Sequence, residues 1–155
     1  MIPPLRNHNQ QTVSINTITK TINDFRNIRQ HLRHPNIYVR FIMITIKEYV
    51  DKSGNIPFAK WFDSLNAEAA AKVAAALIRI EAENYSNVKS VGAGVHEYKI
   101  NFGPGYRVYF GKDGNELIIL LGGGTKKRQQ NDVEKAKELW MEYKKEKEKT
   151  KKKKR

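Results

Sequence analysis

The chain has 155 residues, no cysteine and a formal net charge of +13 at pH 7. Its length fits one ordinary domain, and the lack of cysteine excludes disulfide bonds and cysteine-ligated metal sites. No apolar run approaches the roughly 18 residues that a membrane-spanning helix needs, and the N-terminus lacks the pattern of a secretory signal. We therefore expect a cytoplasmic protein without membrane contacts.

The positive charge is concentrated at the two ends of the chain. Residues 1–40 carry a net charge of +5 and residues 144–155 a net charge of +7, whereas residues 41–143 carry only +1. Basic ends raise the affinity for any polyanion through counterion release, but they serve equally well as solvated, solubilising segments. The charge alone leaves both interpretations open.

Residues 1–42 are polar and irregular, and we expect them to form a poorly ordered N-terminal extension. Met43 lies directly before the first convincing strand, so an over-extended reading frame would also account for this segment. Mapping the translation start distinguishes the two explanations.

From residue 44 onward the chain shows clear strand and helix patterns. Their order predicts an α+β domain with an N-terminal strand, a helix hairpin, an antiparallel meander and a C-terminal helix. Asn66 is expected to cap the second helix, and segment 84–94 to form a loop. The last helix is expected to fray into the lysines that follow it. The predicted strands span residues 44–50, 95–102, 106–110 and 116–121, and the predicted helices span residues 57–65, 67–83 and 132–149.

Each predicted helix has one apolar stripe that we expect to face the sheet. These stripes consist of Phe58, Trp61, Phe62 and Leu65; of Ala69, Val73, Leu77 and Ile80; and of Val133, Ala136, Leu139, Trp140 and Tyr143.

The stretch NFGPGYRVYF, residues 101–110, reads as a hairpin with a Gly-Pro-Gly tip. A three-residue tip places Asn101 opposite Arg107 and Lys99 opposite Tyr109. Because side chains alternate between the two faces of a strand, Arg107 then lies on the face opposite to the apolar rows. We expect this to be an open polar face, formed by Glu97, Lys99, Asn101, Arg107 and Tyr109.

Arg107 has two possible roles on this face. It can form a cross-strand pair with Glu97 or Asn101, worth at most about 1 kcal/mol at an exposed site. Alternatively, it can bind a phosphate, because the guanidinium offers a fork of donors that matches phosphate oxygens. In that case Glu97 is the candidate general base and Lys99 a candidate electrostatic stabiliser.

The stretch GGGTKKRQQ, residues 122–130, reads as a glycine-rich basic loop. It follows a strand adjacent to the hairpin, so Lys126, Lys127 and Arg128 can converge on the same face. A simple basic surface loop is the alternative. The four histidines lack metal-ligand spacing, and His96 is expected to be a structural residue on the core side of its strand.

Several stretches together resemble the RelE/ParE superfamily of toxins, and most closely its HigB-like, phage-derived addiction module killer branch. They are GNIPFAKWFDSLN, VGAGVHEYKINFGPGYRVYF, ELIILLGGGTKKRQQNDVEKA and ELWMEY. The resemblance covers about residues 43–143, which would form the toxin domain, and leaves out the N-terminal extension and a basic tail at 144–155.

The resemblance implies the toxin of a type II toxin–antitoxin system. Such a toxin is held inactive by a cognate helix-turn-helix antitoxin and, as the complex, can bind operator DNA. RelE-like and HigB-like members cut mRNA in the ribosome without a metal or other cofactor: the 2′-OH attacks the neighbouring phosphate and the 5′-oxygen leaves.

The resemblance also implies a set of functional residues. Arg107, Lys99 and Lys126 match the family's phosphate-stabilising cations, and Glu97 matches a carboxylate found in some members. The expected catalytic residues are therefore Arg107, Lys126, Lys99 and Glu97, and the expected substrate-binding residues are Lys127, Arg128, Gln129 and Tyr109.

Two points keep other functions open. Many ribonuclease members carry a histidine or tyrosine near the chain end as acid or base, and here only Tyr143 is available. ParE relatives share the fold but poison DNA gyrase, so a gyrase poison, or a decayed toxin that only binds antitoxin and DNA, is the alternative. A third possibility is a basic module that binds nucleic acid through its tails.

Overall fold

The computed structural model describes residues 44–115 and 117–154. These residues form an α+β domain around a five-stranded sheet with strand order β1-β5-β4-β3-β2. Strand β1 runs parallel to β5, and the other neighbours are antiparallel. The elements are β1 (Thr45–Glu48), α1 (Pro57–Asp63), α2 (Ala67–Glu81), β2 (Val88–Gly92), β3 (Val95–Ile100), β4 (Tyr106–Asp113), β5 (Leu117–Thr125), a 3₁₀ turn (Lys126–Arg128) and α3 (Gln129–Lys153).

Helices α1 and α2 contribute to the apolar core on one face of the sheet. Pro57 starts α1 because its fixed φ suits the first helical turn. The Asn66 side chain accepts a hydrogen bond from the Ala69 backbone N–H at 2.8 Å, which confirms the predicted cap of α2. All four residues of the predicted α2 stripe are buried, namely Ala69, Val73, Leu77 and Ile80.

Helix α3 packs on the opposite face of the sheet. Val133, Ala136 and Trp140 are buried there, which confirms the orientation predicted from its apolar stripe. The last helix was expected to fray into the lysine tail, but α3 continues through that tail to Lys153. Lysine and glutamate are good helix formers, and cations near a helix C-terminus interact favourably with the helix dipole.

Segment 84–94, predicted to be a loop, contains strand β2 at the edge of the sheet. It pairs with β3, placing Lys89 opposite Glu97, and has an irregularity between Ser90 and Gly92. This strand is short and mostly exposed, so it has little of the apolar alternation by which a strand is recognised.

The β3–β4 hairpin has the predicted faces but a different register. Lys99 is opposite Arg107, and Glu97 is opposite Tyr109. The predicted pairing of Asn101 with Arg107 is wrong because the connection spans residues 101–105 rather than three residues. A shift of two residues keeps each side chain on its own face, whereas a shift of one would have exchanged the faces.

The predictions for residues 1–42 lie outside the described residues. Within the described part of the chain, every helix is too short or too polar to cross a lipid bilayer.

Candidate functional site

Glu97 on β3 and Arg107 on β4 form a buried ion pair. The Arg107 Nε lies 3.2 Å from the Glu97 Oε1, and the two residues are 4% and 1% exposed. Arg107 also donates a hydrogen bond from Nη1 to the Tyr106 carbonyl oxygen, at 3.0 Å. The cross-strand partner considered for Arg107 is therefore present, and it lies on the diagonal rather than directly opposite.

The expectation of an open polar face is wrong at its centre. Glu97, Arg107 and Tyr109 are all buried, because helix α3 covers the part of the sheet on which they lie. Lys99 and Asn101 stay exposed. Alternation determines which face a strand residue occupies, but it does not determine whether a later helix covers that face.

Gln129 and Lys89 also contact the Glu97 carboxylate. The Gln129 Nε2 at the start of α3 donates a hydrogen bond to the Glu97 Oε2, at 2.7 Å. The Lys89 ammonium of β2 lies 3.4 Å from the Glu97 Oε1 and is largely exposed. One carboxylate therefore links β2, β3, β4 and the first turn of α3.

Lys89 was missed because its segment was predicted to be a loop. The pattern Val-Lys-Ser-Val at 88–91 was the available signal. Its two valines are three positions apart, which does not match the two-residue period of a strand. The irregularity between Ser90 and Gly92 accounts for this departure.

Asp132 is a second residue that the sequence did not indicate. Its side chain lies over Gly124, where a Cβ atom would come within 1.9 Å of the Asp132 Oδ2. Burial raises the pKa of Asp132 above its ordinary value, although Arg128 and Lys135 act in the opposite direction. Burial also raises the pKa of Tyr109, followed in effect by the negative charges of Glu97 and Asp132. The ion pair of Glu97 and Arg107 therefore has two neighbours, Asp132 and Tyr109, whose environments disfavour their charged forms.

The three glycines at 122–124 lie within β5, so the prediction of a glycine-rich loop is wrong. They allow close packing of side chains on both faces: a Cβ on Gly123 would lie 2.1 Å from the Trp61 ring, and Gly124 accommodates Asp132. The basic residues that follow form the 3₁₀ turn that leads into α3. The space above these glycines is occupied by Trp61 and Asp132, which argues against a loop that binds phosphate through its backbone.

Four exposed cations lie near the buried pair of Glu97 and Arg107, one on β3 and three in the 3₁₀ turn, and we refer to them as the basic rim. They are Lys99, Lys126, Lys127 and Arg128. Lys99 is directly opposite Arg107 in the sheet. Gly105 lies between Arg107 and Lys126. The Lys126 N–H donates a hydrogen bond to the Gly105 carbonyl oxygen at 2.8 Å. A Cβ built on Gly105 would lie 3.5 Å from both the Arg107 Nη1 and the Lys126 Cβ.

The structure thus brings the expected catalytic residues together, with Lys99 and Lys126 exposed and Glu97 and Arg107 buried. Of the expected substrate-binding residues, Lys127 and Arg128 are exposed. Gln129 and Tyr109 instead belong to the group of polar side chains beneath the rim, which we call the polar cluster: Lys89, Glu97, Arg107, Tyr109, Gln129 and Asp132. This arrangement can attract and hold a phosphate at its surface. Its buried carboxylate keeps Arg107 fixed below that surface.

Tyr143 lies at the other end of β4. Its hydroxyl donates a hydrogen bond to Asp113, and its ring stacks on Trp140 with centroids 5.1 Å apart. Six residues of extended strand, about 20 Å, separate Asp113 from Arg107. Tyr143 therefore cannot act as acid or base at the site around Arg107.

Among residues 44–115 and 117–154, no group of three or more His, Asp or Glu side chains is arranged to hold a metal ion. His96 stacks on Phe110 with ring centroids 5.5 Å apart on the apolar face, where burial and the nearby Lys112 lower its pKa. This agrees with the structural role that we expected for it.

Comparison with known proteins identifies a family and a relative. The family model of the phage-derived Gp49-like proteins (DUF891) matches residues 60–141. The chain belongs to this Gp49-like family. An uncharacterised protein of Haemophilus influenzae is 40% identical over 88 residues, which cover 56% of this chain and 89% of the relative.

The Gp49-like family is commonly associated with toxin–antitoxin modules. The matched segment contains the whole polar cluster and the basic rim, from Lys89 to Asp132. It ends within α3, before the lysine-rich part of that helix.

Proposed function

We propose that this Gp49-like chain is the toxin of a toxin–antitoxin module and cuts messenger RNA. In this proposal it is a RelE/ParE-type toxin of the HigB-like branch, a metal-free endoribonuclease that acts with the ribosome in the cytoplasm. The observation that carries the proposal is the basic rim around the buried Arg107–Glu97 pair. The family membership supports the toxin part of the proposal.

Lys126 and Lys99 are the groups that contact the reacting phosphate. Both are exposed, and they border Arg107 from two sides, one through Gly105 and one across the β3–β4 ladder. Fixed cations of this kind stabilise the negative charge that develops in the transition state, and each is typically worth about 3 kcal/mol. Lys127 and Arg128 bind neighbouring phosphates along the strand.

Glu97 acts as a positioning residue rather than as the general base. Its carboxylate is 1% exposed and is already engaged by Arg107, Gln129 and Lys89. A base must come within hydrogen-bond distance of the proton that it removes, which a covered carboxylate cannot do. By holding Arg107 and Gln129, Glu97 keeps the cations of the rim in register with one another.

The proposed reaction is an internal transfer at phosphorus. The 2′-oxygen of one nucleotide attacks the adjacent phosphorus, and the bond from phosphorus to the 5′-oxygen of the next nucleotide breaks. The proton of the 2′-hydroxyl passes to water, and the leaving oxygen takes one from a lysine ammonium of the rim. The products are a 2′,3′-cyclic phosphate and a 5′-hydroxyl end.

The burial of Glu97 and Arg107 also supports a second candidate function. In this candidate, Arg107 and Glu97 only stabilise the fold, and the protein acts by binding. It is then either a gyrase poison or a decayed toxin that binds antitoxin and operator DNA. In both cases the cognate partner is proposed to be a small helix-turn-helix antitoxin.

Transcriptome-wide mapping of RNA 5′ ends after induction of the full chain in growing cells tests the proposal. We expect new 5′-hydroxyl ends within coding sequences, in phase with codons, and their absence when Lys99 and Lys126 are both changed to alanine. Intact mRNA together with gyrase-linked DNA breaks would contradict the ribonuclease proposal and support the second candidate. Changing Lys60 and Lys72 to alanine on the opposite side of the sheet is the matched control.

A further inference from the structure

The last part of α3 and its C-cap residue Lys154 form a strongly basic segment, residues 144–154, which we refer to as the lysine extension. It contains eight lysines and two glutamates, a net charge of +6. Seven of the eight lysines are exposed, and the eighth, Lys147, is half-buried. At 1.5 Å per residue, the segment is about 16 Å long.

The extension is a regular helix but stands apart from the domain that the family shares. The family match ends at residue 141, while α3 continues without interruption to Lys153. The last apolar side chain of α3 in the core is Tyr143. Packing of an apolar face therefore does not explain the extension.

Among the described residues, only the beginning of the extension is tied to the domain by ion pairs. Lys147 is bonded to Asp113 of β4, and Glu146 lies 3.9 Å from Lys52. Further along, no carboxylate of the described residues lies within 4.0 Å of Lys149, Lys152, Lys153 or Lys154. Lysines three and four positions apart repel each other on a helix surface, so an external polyanion would relieve this repulsion.

We propose that the lysine extension binds the phosphate backbone of RNA as a second site, separate from the basic rim. Taking RNA as the partner rests on the proposed function. The extension supplies affinity and takes no part in the cleavage step. It lies at the opposite end of α3 from the rim, since Gln129 next to the rim and Lys152 are separated by about 35 Å of helix.

The composition of the extension favours RNA over a membrane or an acidic protein. It has no apolar face to insert among lipids, since all of its side chains except Glu146 and Lys147 are exposed lysine, glutamate or threonine. It also lacks the aromatic, arginine or large apolar anchors that carry affinity in protein interfaces. Lysines acting as point charges suit a regularly spaced polyanion that is bound without sequence preference.

Anisotropy titrations with a labelled single-stranded RNA at several salt concentrations test the inference. The probe carries 2′-O-methyl groups, which block cleavage, and is long enough to span about 40 Å. The full chain is compared with a variant in which Lys152, Lys153 and Lys154 are changed to glutamine. We expect affinity to fall by at least about tenfold near 0.1 M salt, and the slope of log K against log salt to flatten by about two, because each lost phosphate contact removes about 0.7.

The matched control changes three exposed cations of α1 and α2, Lys60, Lys72 and Arg79, to glutamine, which alters the net charge equally. An equal loss of affinity in this control, or no loss in the extension variant, would overturn the inference. It would also be overturned if polyglutamate or anionic vesicles bound the wild-type chain through these lysines more tightly than RNA did. If RNA binding depends on the extension and no mRNA cleavage occurs in cells, the second site stands and the proposed ribonuclease function fails.

Discussion

The two faces of the sheet are both buried, but they are buried in different ways. On the face covered by α1 and α2, the interior is formed by aliphatic and aromatic side chains such as Phe62, Val73 and Phe110. On the face covered by α3, the interior includes the ion pair of Glu97 and Arg107. Apolar area describes most of the first face, whereas the second also depends on the contact between Glu97 and Arg107.

This difference separates stability from positioning. Apolar burial contributes about 25 cal/mol for each Å² removed from water and does not depend on direction. A buried ion pair contributes little net free energy, because the cost of removing two charges from water offsets their attraction. The pair of Glu97 and Arg107 therefore contributes mainly by fixing the geometry between the sheet, the start of α3 and the basic rim.

The largest effect on stability is expected on the apolar face. Phe110 is 0% exposed, and changing it to alanine removes a large side chain from the interior. We expect the free energy of unfolding to fall by about 4 kcal/mol, from the lost burial and the cavity that remains. Urea denaturation followed by circular dichroism measures this loss. A loss of less than about 1 kcal/mol would show that this face is not the main source of stability.

A smaller and non-additive effect is expected on the polar face. Changing Arg107 to methionine leaves the Glu97 carboxylate buried with weaker compensation, and we expect the free energy of unfolding to fall by about 3 kcal/mol. Changing Glu97 to glutamine in the same molecule removes the uncompensated charge and should restore part of this loss. The same urea experiment on the two single variants and the double variant gives the coupling free energy.

Strict additivity of the two substitutions would contradict a direct pair between Glu97 and Arg107. A matched control is the pair of Lys137 and Glu134 on α3, whose charged atoms lie 3.2 Å apart and whose side chains are 25% and 57% exposed. Because solvent screens this pair, breaking it should change the free energy of unfolding by less than about 0.5 kcal/mol.

The smallest effects concern two aspartates at opposite ends of the polar face. Burial raises the pKa of Asp132, so the folded state disfavours its charge and loses stability as pH rises from 3.8 through the raised pKa. Hydrogen bonds from Lys147 and Tyr143 lower the pKa of Asp113, so that its contribution is present above pH 3.8 and is lost as pH falls through the lowered pKa. Opposite changes in the pH dependence of unfolding are therefore expected for Asp132→Asn and Asp113→Asn.

Thermal unfolding of these two variants and the wild type across acidic pH checks the signs. Relative to wild type, Asp132→Asn should gain stability as pH rises through that window. Asp113→Asn should be less stable than wild type above it, and the difference should shrink on acidification. The same sign for both variants would contradict the environments described for the two ends of α3.

Features set by local chemistry could be predicted from the sequence. The Asn66 cap and the apolar stripes of α2 and α3 follow from residue type and a period of 3.6. The face on which Arg107 lies was also predicted correctly although the register was wrong by two residues, because the strand period is two. An even shift in register changes the pairing partner of Arg107 but leaves its side chain on the same face of the sheet.

Features that depend on contacts between distant elements could not be predicted. Whether Arg107 is exposed depends on where α3 packs, and α3 begins more than twenty positions further along the chain. The sequence predicts a loop at the glycines of β5, because the side chains that exclude a Cβ there, Trp61 and Asp132, lie on other elements. Strand β2 has too few apolar residues to be recognised before its partner β3 is in place.

The central claim is that the exposed basic rim performs the chemistry while the buried pair beneath it holds the rim in position. The direct measurement is codon-phased mRNA cleavage on ribosomes by purified chain, comparing Lys126→Ala with Lys60→Ala. We predict that Lys126→Ala cuts about a hundredfold more slowly, with an unchanged midpoint of thermal unfolding, and that Lys60→Ala cuts at the wild-type rate. Cleavage by Lys126→Ala at the wild-type rate would contradict the claim.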